Sequence, residues 1–140
     1  MKQVIISRLI FAFALFAMLG CVFSSQSFAE INWRKSPQAA IDSARETGKP
    51  ILVFVTTDWC HYCKKMKRET WSNPVVNDTV SQQFETLVLD GDRDQKVVQK
   101  LGLKGYPATL LYTPDGRYVA KRGGYMSPVQ TLKWLGAALR

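Results

Sequence analysis

Residues 51–66, with the sequence ILVFVTTDWCHYCKKM, contain the features that decide the fold. Residues 51–57 form an unbroken run of apolar and β-branched side chains, which predicts a strand buried on both faces. Residues 60–71 then predict a helix with a charged outer face. The two cysteines of this stretch, Cys60 and Cys63, therefore lie where a buried strand ends and a helix begins.

The cysteine pair has three possible roles: a structural staple, half of a metal site or a reacting dithiol. The loop that the pair closes is too small to hold distant parts of a fold together, which argues against a staple. A structural zinc ion needs four ligands, and beyond the two cysteines the chain offers one histidine, His61, which should point away from their shared face. Haem attachment requires a histidine where Lys64 stands. Copper carriage by two thiolates stays open, but a reacting dithiol is favoured.

The position of the pair also assigns a role to each cysteine. A helix N-terminus presents free N–H groups and a partial positive charge, which favour a thiolate at Cys60. His61 and Lys64 are expected to add to this stabilisation. A spacing of three places Cys63 on the same helix face, one turn deeper and close enough to bond. We therefore predict that Cys60 is the attacking nucleophile and that a buried Cys63 resolves the mixed disulfide.

The N-terminus has the pattern of a secretory signal peptide. Lys2 and Arg8 precede an apolar run over residues 9–23, which is shorter than the roughly 20 residues that a membrane span needs. Small side chains stand before a cleavage point after Ala29. We predict a signal peptide over residues 1–29 and one domain over residues 30–140, exported to the periplasm or beyond. Lipidation of Cys21 is the less favoured alternative.

Charge indicates the class of partner. The whole chain has a net charge of +8, and residues 30–140 keep 17 of 19 basic residues and all 11 acidic ones. The dense basic segment, residues 64–68, is expected to be a solvated helix face with Met66 turned inward. Since no basic strip is interleaved with aromatic residues, we do not expect nucleic acid as a partner. We expect a monomer that needs no cofactor.

The remaining segments predict an α/β domain. Ser-Pro and Asn-Pro steps at residues 36, 73 and 127 predict helix starts, and the last helix should bury one apolar face. A second buried strand is expected over residues 85–90, a short helix over 95–101, and a hairpin around Pro114-Asp115-Gly116. This order predicts a central mixed β-sheet flanked by helices. The apolar face of the last helix is predicted to comprise Val129, Leu132, Leu135 and Leu139.

These residues resemble the thioredoxin superfamily. The resemblance is carried by KPILVFVTTDWCHYCKKM, by TWSNPVV, by GLKGYPATLLYTPDG and by GGYMSPVQTLKWL, and it covers nearly all of residues 30–140. Within that superfamily the chain is most similar to the C-terminal periplasmic domain of DsbD, the membrane thiol reductase, and to small exported thioredoxin-like proteins. The resemblance implies a thioredoxin-like fold.

The resemblance also implies a substrate-binding surface. Tyr106-Pro107 is expected to be a cis peptide beside the cysteines, with Tyr106 offering backbone groups to an extended substrate. Trp59 matches the aromatic residue next to the exposed cysteine, with simple packing as the alternative. Trp33, Trp71 and Trp134 are assigned to packing.

One position departs from the superfamily. Thioredoxins and the DsbD domain carry a buried aspartate six residues before the first cysteine, where this chain has Phe54. Deprotonation of Cys63 must then use water or another group, for which Asp58 is a candidate.

These features together predict an exported thiol–disulfide oxidoreductase that acts on protein disulfides through Cys60 and Cys63. We expect a reductant, because the chain has no room for the extra domains of the periplasmic oxidant DsbA or of the periplasmic isomerases. Its electron donor would be a membrane thiol protein. The alternatives are a thiol oxidant of the same fold, and a module that binds copper or a client without turnover.

Overall fold

Four strands form a mixed sheet at the centre of the computed structural model, which describes residues 30–140. The sheet order is β2-β1-β3-β4; β1 is parallel to β2 and antiparallel to β3, and β3 is antiparallel to β4. This arrangement confirms the predicted α/β fold with a central mixed sheet. The predicted signal peptide and Cys21 lie outside the described residues. The strands are β1 Ile51–Thr56, β2 Glu85–Asp90, β3 Ala108–Tyr112 and β4 Tyr118–Gly123.

Helices flank the sheet, and three of them begin at the predicted caps. The side chains of Ser36, Asn73 and Ser127 each accept a hydrogen bond from a backbone N–H in the first turn, and a proline follows each cap. The helices are α1 Pro37–Thr47, α2 His61–Met66, α3 Pro74–Gln83, α4 Gln95–Lys100 and α5 Pro128–Ala138. Within residues 30–140, no helix combines the length and hydropathy that crossing a bilayer requires.

The helix predicted over residues 60–71 is not a uniform α-helix. Helix α2 continues into a wider π-helical turn over Lys67–Trp71. In this turn the Thr70 hydroxyl donates a hydrogen bond to the Met126 carbonyl, 2.6 Å away, and Trp71 is buried beside it. Cys63, Met66, Thr70 and Trp71 are all buried, at the spacing of one helix face, so this face stays towards the core through the π turn.

The apolar face predicted for α5 is wrong at both ends. Val129 is 76% exposed and Leu139 is 45% exposed. Leu135 is buried, and Leu132 packs against the core together with Trp134. The two exposed residues stand in the first turn of the helix and just beyond its last residue.

Strand β1 separates two hydrophobic cores, as its unbroken apolar sequence predicts. Leu52 and Phe54 enter the core on one face, whereas Ile51, Val53 and Val55 enter the core on the other. The first core also holds side chains from α2, α3 and α5, and the second holds side chains from α1 and α4.

Phe54 is the centre of an aromatic cluster. Its ring centroid lies 5.8 Å from that of Trp33 and 5.4 Å from that of Trp71, and the two indoles are 5.3 Å apart. The two contacts of Trp71 are edge-to-face, and such contacts contribute beyond simple burial. The packing roles predicted for Trp33, Trp71 and Trp134 are therefore confirmed.

We expect Phe54→Ala to lower the free energy of unfolding by about 3–5 kcal/mol, because it leaves a cavity between two indole rings. Urea unfolding of the variant measures the change. Val129→Ala is the control: it also removes apolar atoms, but from an exposed side chain, and should change stability by less than about 0.5 kcal/mol. Similar losses for the two variants would contradict the central place given to Phe54.

Candidate active site

Cys60 and Cys63 form a disulfide at the carboxyl end of β1. Their Cα atoms are 5.2 Å apart and their sulfurs 2.12 Å apart. Cys60 is the N-cap residue of α2, with extended backbone angles, and the Cys63 backbone N–H donates to its sulfur at 3.1 Å. A free N–H of the first helical turn therefore points at the sulfur of the predicted nucleophile, as the sequence led us to expect.

The two cysteines differ in exposure, although less than predicted. Cys63 is 0% exposed, in agreement with its predicted burial, while Cys60 is only 5% exposed. The expectation of an openly exposed Cys60 is therefore wrong for the disulfide form, because its sulfur is bonded to Cys63 and covered by the Cys63 N–H. Even so, Cys60 is the one member of the pair with area that another molecule can reach.

His61 and Lys64 lie on the exposed side of α2, while Met66 faces the core as predicted. The His61 ring packs edge-on against Tyr62, with centroids 5.7 Å apart. Lys64 follows Cys60 by four residues and therefore lies on the same side of the helix, one turn away. The structure thus places both predicted tuning residues next to the dithiol, while their effect on the thiolate stays a prediction.

Trp59 is held in place although it is 67% exposed. Its indole Nε1 donates to Asp92 Oδ2 at 3.0 Å, and its ring packs edge-on against Tyr106 at 5.9 Å. The Tyr106-Pro107 peptide is cis, as the resemblance implied. Simple packing does not explain so exposed a ring. Trp59 and Tyr106 contact each other, whereas Pro107 is buried, and substrate binding by these three residues stays a prediction.

Sequence reasoning missed the turn after β2 that supports this surface. Because β1 and β2 are parallel, their carboxyl ends meet at one edge, which brings Asp92 to Trp59. Within the turn, Asp90 Oδ1 accepts hydrogen bonds from the backbone N–H groups of Asp92 and Arg93, at 2.9 and 3.2 Å. The acidic segment DGDRD directly after a buried strand was the signal that could have indicated this turn.

Electrostatics reinforce the turn. Burial alone would raise the pKa of the Asp90 carboxyl. The two backbone hydrogen bonds and the positive charges of Arg93 and Lys67 together outweigh that effect, so the pKa lies below its ordinary value. Asp90 is therefore ionised near neutral pH, and its hydrogen bonds hold the turn that carries Asp92 in place.

The position of Phe54 has a direct consequence for proton transfer. Phe54 is 1% exposed and surrounded by Trp33 and Trp71, so this site holds a hydrocarbon ring where related domains have a carboxylate. Asp58 lies in the exposed turn before Cys60, while Cys63 is fully buried, so Asp58 is poorly placed to accept the Cys63 proton.

Metal binding receives little support from the geometry. Over residues 30–140, no group of three or more His, Cys, Asp or Glu side chains could hold a metal ion. The two cysteine sulfurs that a copper site would use are bonded to each other in this structure.

Comparisons with known proteins agree with this geometry. The family model of the thioredoxin-like domain matches residues 37–139. The thiol:disulfide interchange protein DsbD of Ralstonia nicotianae is 31% identical over 87 residues, which cover 59% of this chain and 14% of that protein. DsbD of Photorhabdus laumondii is 26% identical over 111 residues, covering 73% of this chain and 18% of that protein. The chain thus spans less than a fifth of these relatives.

Solved structures show the same fold. A thioredoxin from Thermus thermophilus superposes with a TM-score of 0.71 at 21% identity, over 79% of this chain and 88% of that one. The reduced C-terminal domain of DsbD from Neisseria meningitidis gives a TM-score of 0.62 at 24% identity, over 72% of this chain and 92% of that one. At these identities the likeness concerns the fold alone.

Gly91→Ala should disturb the surface formed by Trp59 and Tyr106. A Cβ at Gly91 would clash with the Tyr106 hydroxyl and lie 2.5 Å from its Cζ and 2.9 Å from Thr57 Cγ2. We expect the free energy of unfolding, measured with urea, to fall by about 1–3 kcal/mol, because the displaced atoms lie in a packed region. The fluorescence of the exposed Trp59 should change as well.

Gly136→Ala is the matched control for that variant. Gly136 lies in α5, and nothing stands within 4 Å of its added Cβ, so the substitution should stabilise the protein by about 0.5–1 kcal/mol. Wild-type stability and unchanged fluorescence for Gly91→Ala would show that the turn does not position Tyr106.

Proposed function

Since the chain belongs to the thioredoxin-like family of thiol–disulfide oxidoreductases, we propose that it is an exported enzyme that reduces disulfides of client proteins through Cys60 and Cys63. The observation that carries the proposal is the disulfide at the start of α2, in which Cys60 accepts the Cys63 N–H and alone has accessible area. A helix start that favours a thiolate and a second cysteine within bonding distance are what dithiol exchange requires.

The first step takes place at Cys60 in the reduced protein. Its thiolate attacks one sulfur of the client disulfide, so the client S–S bond breaks as a mixed disulfide forms. The other client sulfur leaves as a thiolate and takes a proton from water. The Cys63 N–H and the positive end of α2 stabilise the attacking thiolate, and we assign His61 and Lys64 a supporting role in this.

The second step releases the client. Cys63 loses its proton, and its sulfur attacks Cys60, so the intramolecular disulfide forms and the second client sulfur departs as a thiolate. Two electrons have then passed to the client, and the protein is left in the disulfide form that the structure describes. Because Phe54 replaces a carboxylate beside the dithiol, the Cys63 proton passes to water, and this step should quicken as the pH rises.

The client is held beside the dithiol by Trp59, Tyr106 and Pro107. The backbone N–H and C=O groups of Tyr106 would pair with an extended client segment, in the manner of an added strand. The hydrogen bond from Trp59 to Asp92 fixes the orientation of the indole, so this part of the surface is ordered before the client binds.

Reduction is the direction we assign, with a membrane thiol protein as electron donor, because several relatives are DsbD proteins. A thiol oxidant of the same fold is the alternative within this class. A module that carries copper or holds a client is the alternative outside it. Thiol titration separates the classes: a redox enzyme alternates between two free thiols and none, whereas a copper carrier releases metal to a chelator.

Cys63→Ser should accumulate a mixed disulfide with client proteins, because Cys60 can still attack but nothing resolves the adduct. Non-reducing gels of exporting cells measure the adduct. Cys60→Ser is the matched control and should trap far less, since Cys63 is fully buried. Equal trapping by the two variants would contradict the assignment of Cys60 as the attacking cysteine and Cys63 as the resolving one.

The reduction potential decides between reductant and oxidant. We expect a value above that of thioredoxin, about −270 mV, and below that of DsbA, about −120 mV, because a helix N-terminus stabilises the thiolate while no buried carboxylate opposes it. Equilibration with glutathione measures it. A value close to that of DsbA, in a protein found oxidised in cells, would favour the oxidant.

The same measurement tests the tuning residues. Lys64→Ala should shift the potential downward, because it removes a positive charge that stabilises the Cys60 thiolate, and His61→Ala should act in the same direction to the extent that the ring is protonated. Lys133→Ala, which removes an exposed lysine from α5, is the control and should leave the potential unchanged.

A further inference from the structure

Two buried threonines in the sheet have hydroxyl groups that lack a partner in the disulfide form. Thr56 is the last residue of β1 and is 3% exposed, and Thr109 in β3 is 0% exposed. Neither Oγ1 atom has a hydrogen-bond partner within residues 30–140. A buried hydroxyl without a partner costs free energy, which a partner present in another state of the protein would offset.

Both hydroxyls lie on the face of the sheet that carries Phe54. Side chains alternate along a strand, so Thr56 and Phe54, which are two residues apart, point to the same side. Thr109 is paired with Phe54 across β1 and β3, so it shares that face as well. The two threonines are thus diagonal neighbours, with Cβ atoms about 7 Å apart at the ordinary spacing of a sheet.

Cys63 faces the same core from helix α2. It is fully buried in the first turn of the helix, and Met66, one turn further on, packs in the core that holds Phe54. Residues three apart lie on one side of a helix, so Cys63 points into that core as well. The Cys60 N–H donates to the Thr57 carbonyl at 3.4 Å, so only a tight turn separates the end of β1 from the start of α2. The Cys63 sulfur and the two hydroxyls therefore share one end of this core.

The state of Cys63 changes during exchange, and with it the need for hydrogen bonds. In the disulfide its sulfur is bonded to Cys60 and is a weak acceptor. In the second step of exchange the sulfur becomes a thiolate, in a core where Phe54 supplies a hydrocarbon ring and no charge. A buried thiolate without hydrogen bonds is strongly disfavoured. A hydroxyl that donates to it forms a charge-assisted hydrogen bond, which is about twice as strong as a neutral one.

We propose that Thr56 and Thr109 are catalytic residues of the second step, and that their hydroxyls donate hydrogen bonds to the Cys63 thiolate as it forms. This proposal rests on the exchange function assigned above. The Cys63 S–H gives its proton to water, and both threonines keep theirs. The sulfur lone pair then attacks the Cys60 sulfur, the bond from Cys60 to the client breaks, and the client sulfur leaves as a thiolate.

Charged groups around this core stay in place when the hydroxyls are removed. They are Asp90 opposite Thr56 on β2, Arg122 opposite Thr109 on β4, Lys67 in the π-helical turn, His61 and Lys64 on α2, and Asp58 in the turn before α2. Asp90 is buried, and the others are exposed. Replacing threonine by valine removes a hydroxyl and no charge, so a change in the rate of the second step reports on the hydroxyls.

Stopped-flow exchange with dithiobis(nitrobenzoate), an aromatic disulfide, separates the two steps. The reduced protein releases one coloured thionitrobenzoate when Cys60 attacks, and a second when Cys63 resolves the adduct. In the double variant Thr56→Val/Thr109→Val the second release should slow by about tenfold at neutral pH, as expected for the loss of a hydrogen bond to a charged group. The first release should keep its rate. Thr56→Ser/Thr109→Ser should retain most of the wild-type rate in both.

The double valine variant should fold, because valine has the shape of threonine and replaces hydroxyls that have no partner in the disulfide form. Urea unfolding of that form checks this. Thr131→Val is the matched control, because Thr131 is also 0% exposed with an unpartnered Oγ1. It lies in α5, which follows the Met126 carbonyl that Thr70 contacts. Thr70 is two helical turns from Cys63, about 10 Å at about 1.5 Å per residue, so Thr131→Val should leave both releases unchanged.

An unchanged second release in the double valine variant would overturn the proposal, and so would equal slowing in the serine variant or in Thr131→Val. Cys63→Ser separates this failure from that of the exchange function, because it should release one thionitrobenzoate where the wild-type protein releases two. A wild-type protein without a second release refutes the exchange function itself. A second release that does not depend on the two threonines refutes only their role.

Discussion

Strand β1 pairs with β2 on one side and β3 on the other, and a hydrophobic core covers each of its faces. Contacts on both edges and both faces therefore hold β1 in place, and the segment after its carboxyl end begins from a well-fixed position. Cys60 follows after a short turn and caps α2. Burial of β1 thus restricts the position of Cys60, the proposed nucleophile, because a strand fixed on both faces leaves its end little freedom.

The parallel pairing of β1 and β2 has a second consequence. Parallel strands bring their carboxyl ends to the same edge, so the acidic turn after β2 stands beside the turn that carries Trp59. The antiparallel strand β3 begins at that edge too, directly after the cis Tyr106-Pro107 peptide. Three segments that are far apart in sequence therefore form one surface around the dithiol, which is a property of the sheet topology rather than of any single motif.

Phe54 links stability with redox chemistry. A ring at this position contacts Trp33 and Trp71 and fills part of the core that also holds Met66. Phe54 also stands in place of a buried carboxylate. Burying a carboxylate costs desolvation energy, and its negative charge would disfavour a thiolate close to it. The phenylalanine at position 54 thus accounts both for the favourable packing and for the proposed stabilisation of the thiolate. The proposed disadvantage is that no buried carboxylate accepts the proton of Cys63.

The sequence by itself determined the order of the strands and helices, the caps, the core strand and the reacting pair, because each depends on residues close together in the chain. The apolar pattern gave both buried faces of β1 but not the ends of the buried face of α5, and a spacing of three brought Cys63 within bonding distance of Cys60. The π-helical turn, the bond from Trp59 to Asp92 and the pairing of Tyr62 with Tyr125 were decided only by the tertiary structure. The hydrogen bond and the ring pairing depend on contacts between segments separated by many residues, which local spacing does not encode. The π-helical turn keeps the burial spacing of an α-helix, so the apolar pattern does not distinguish the two.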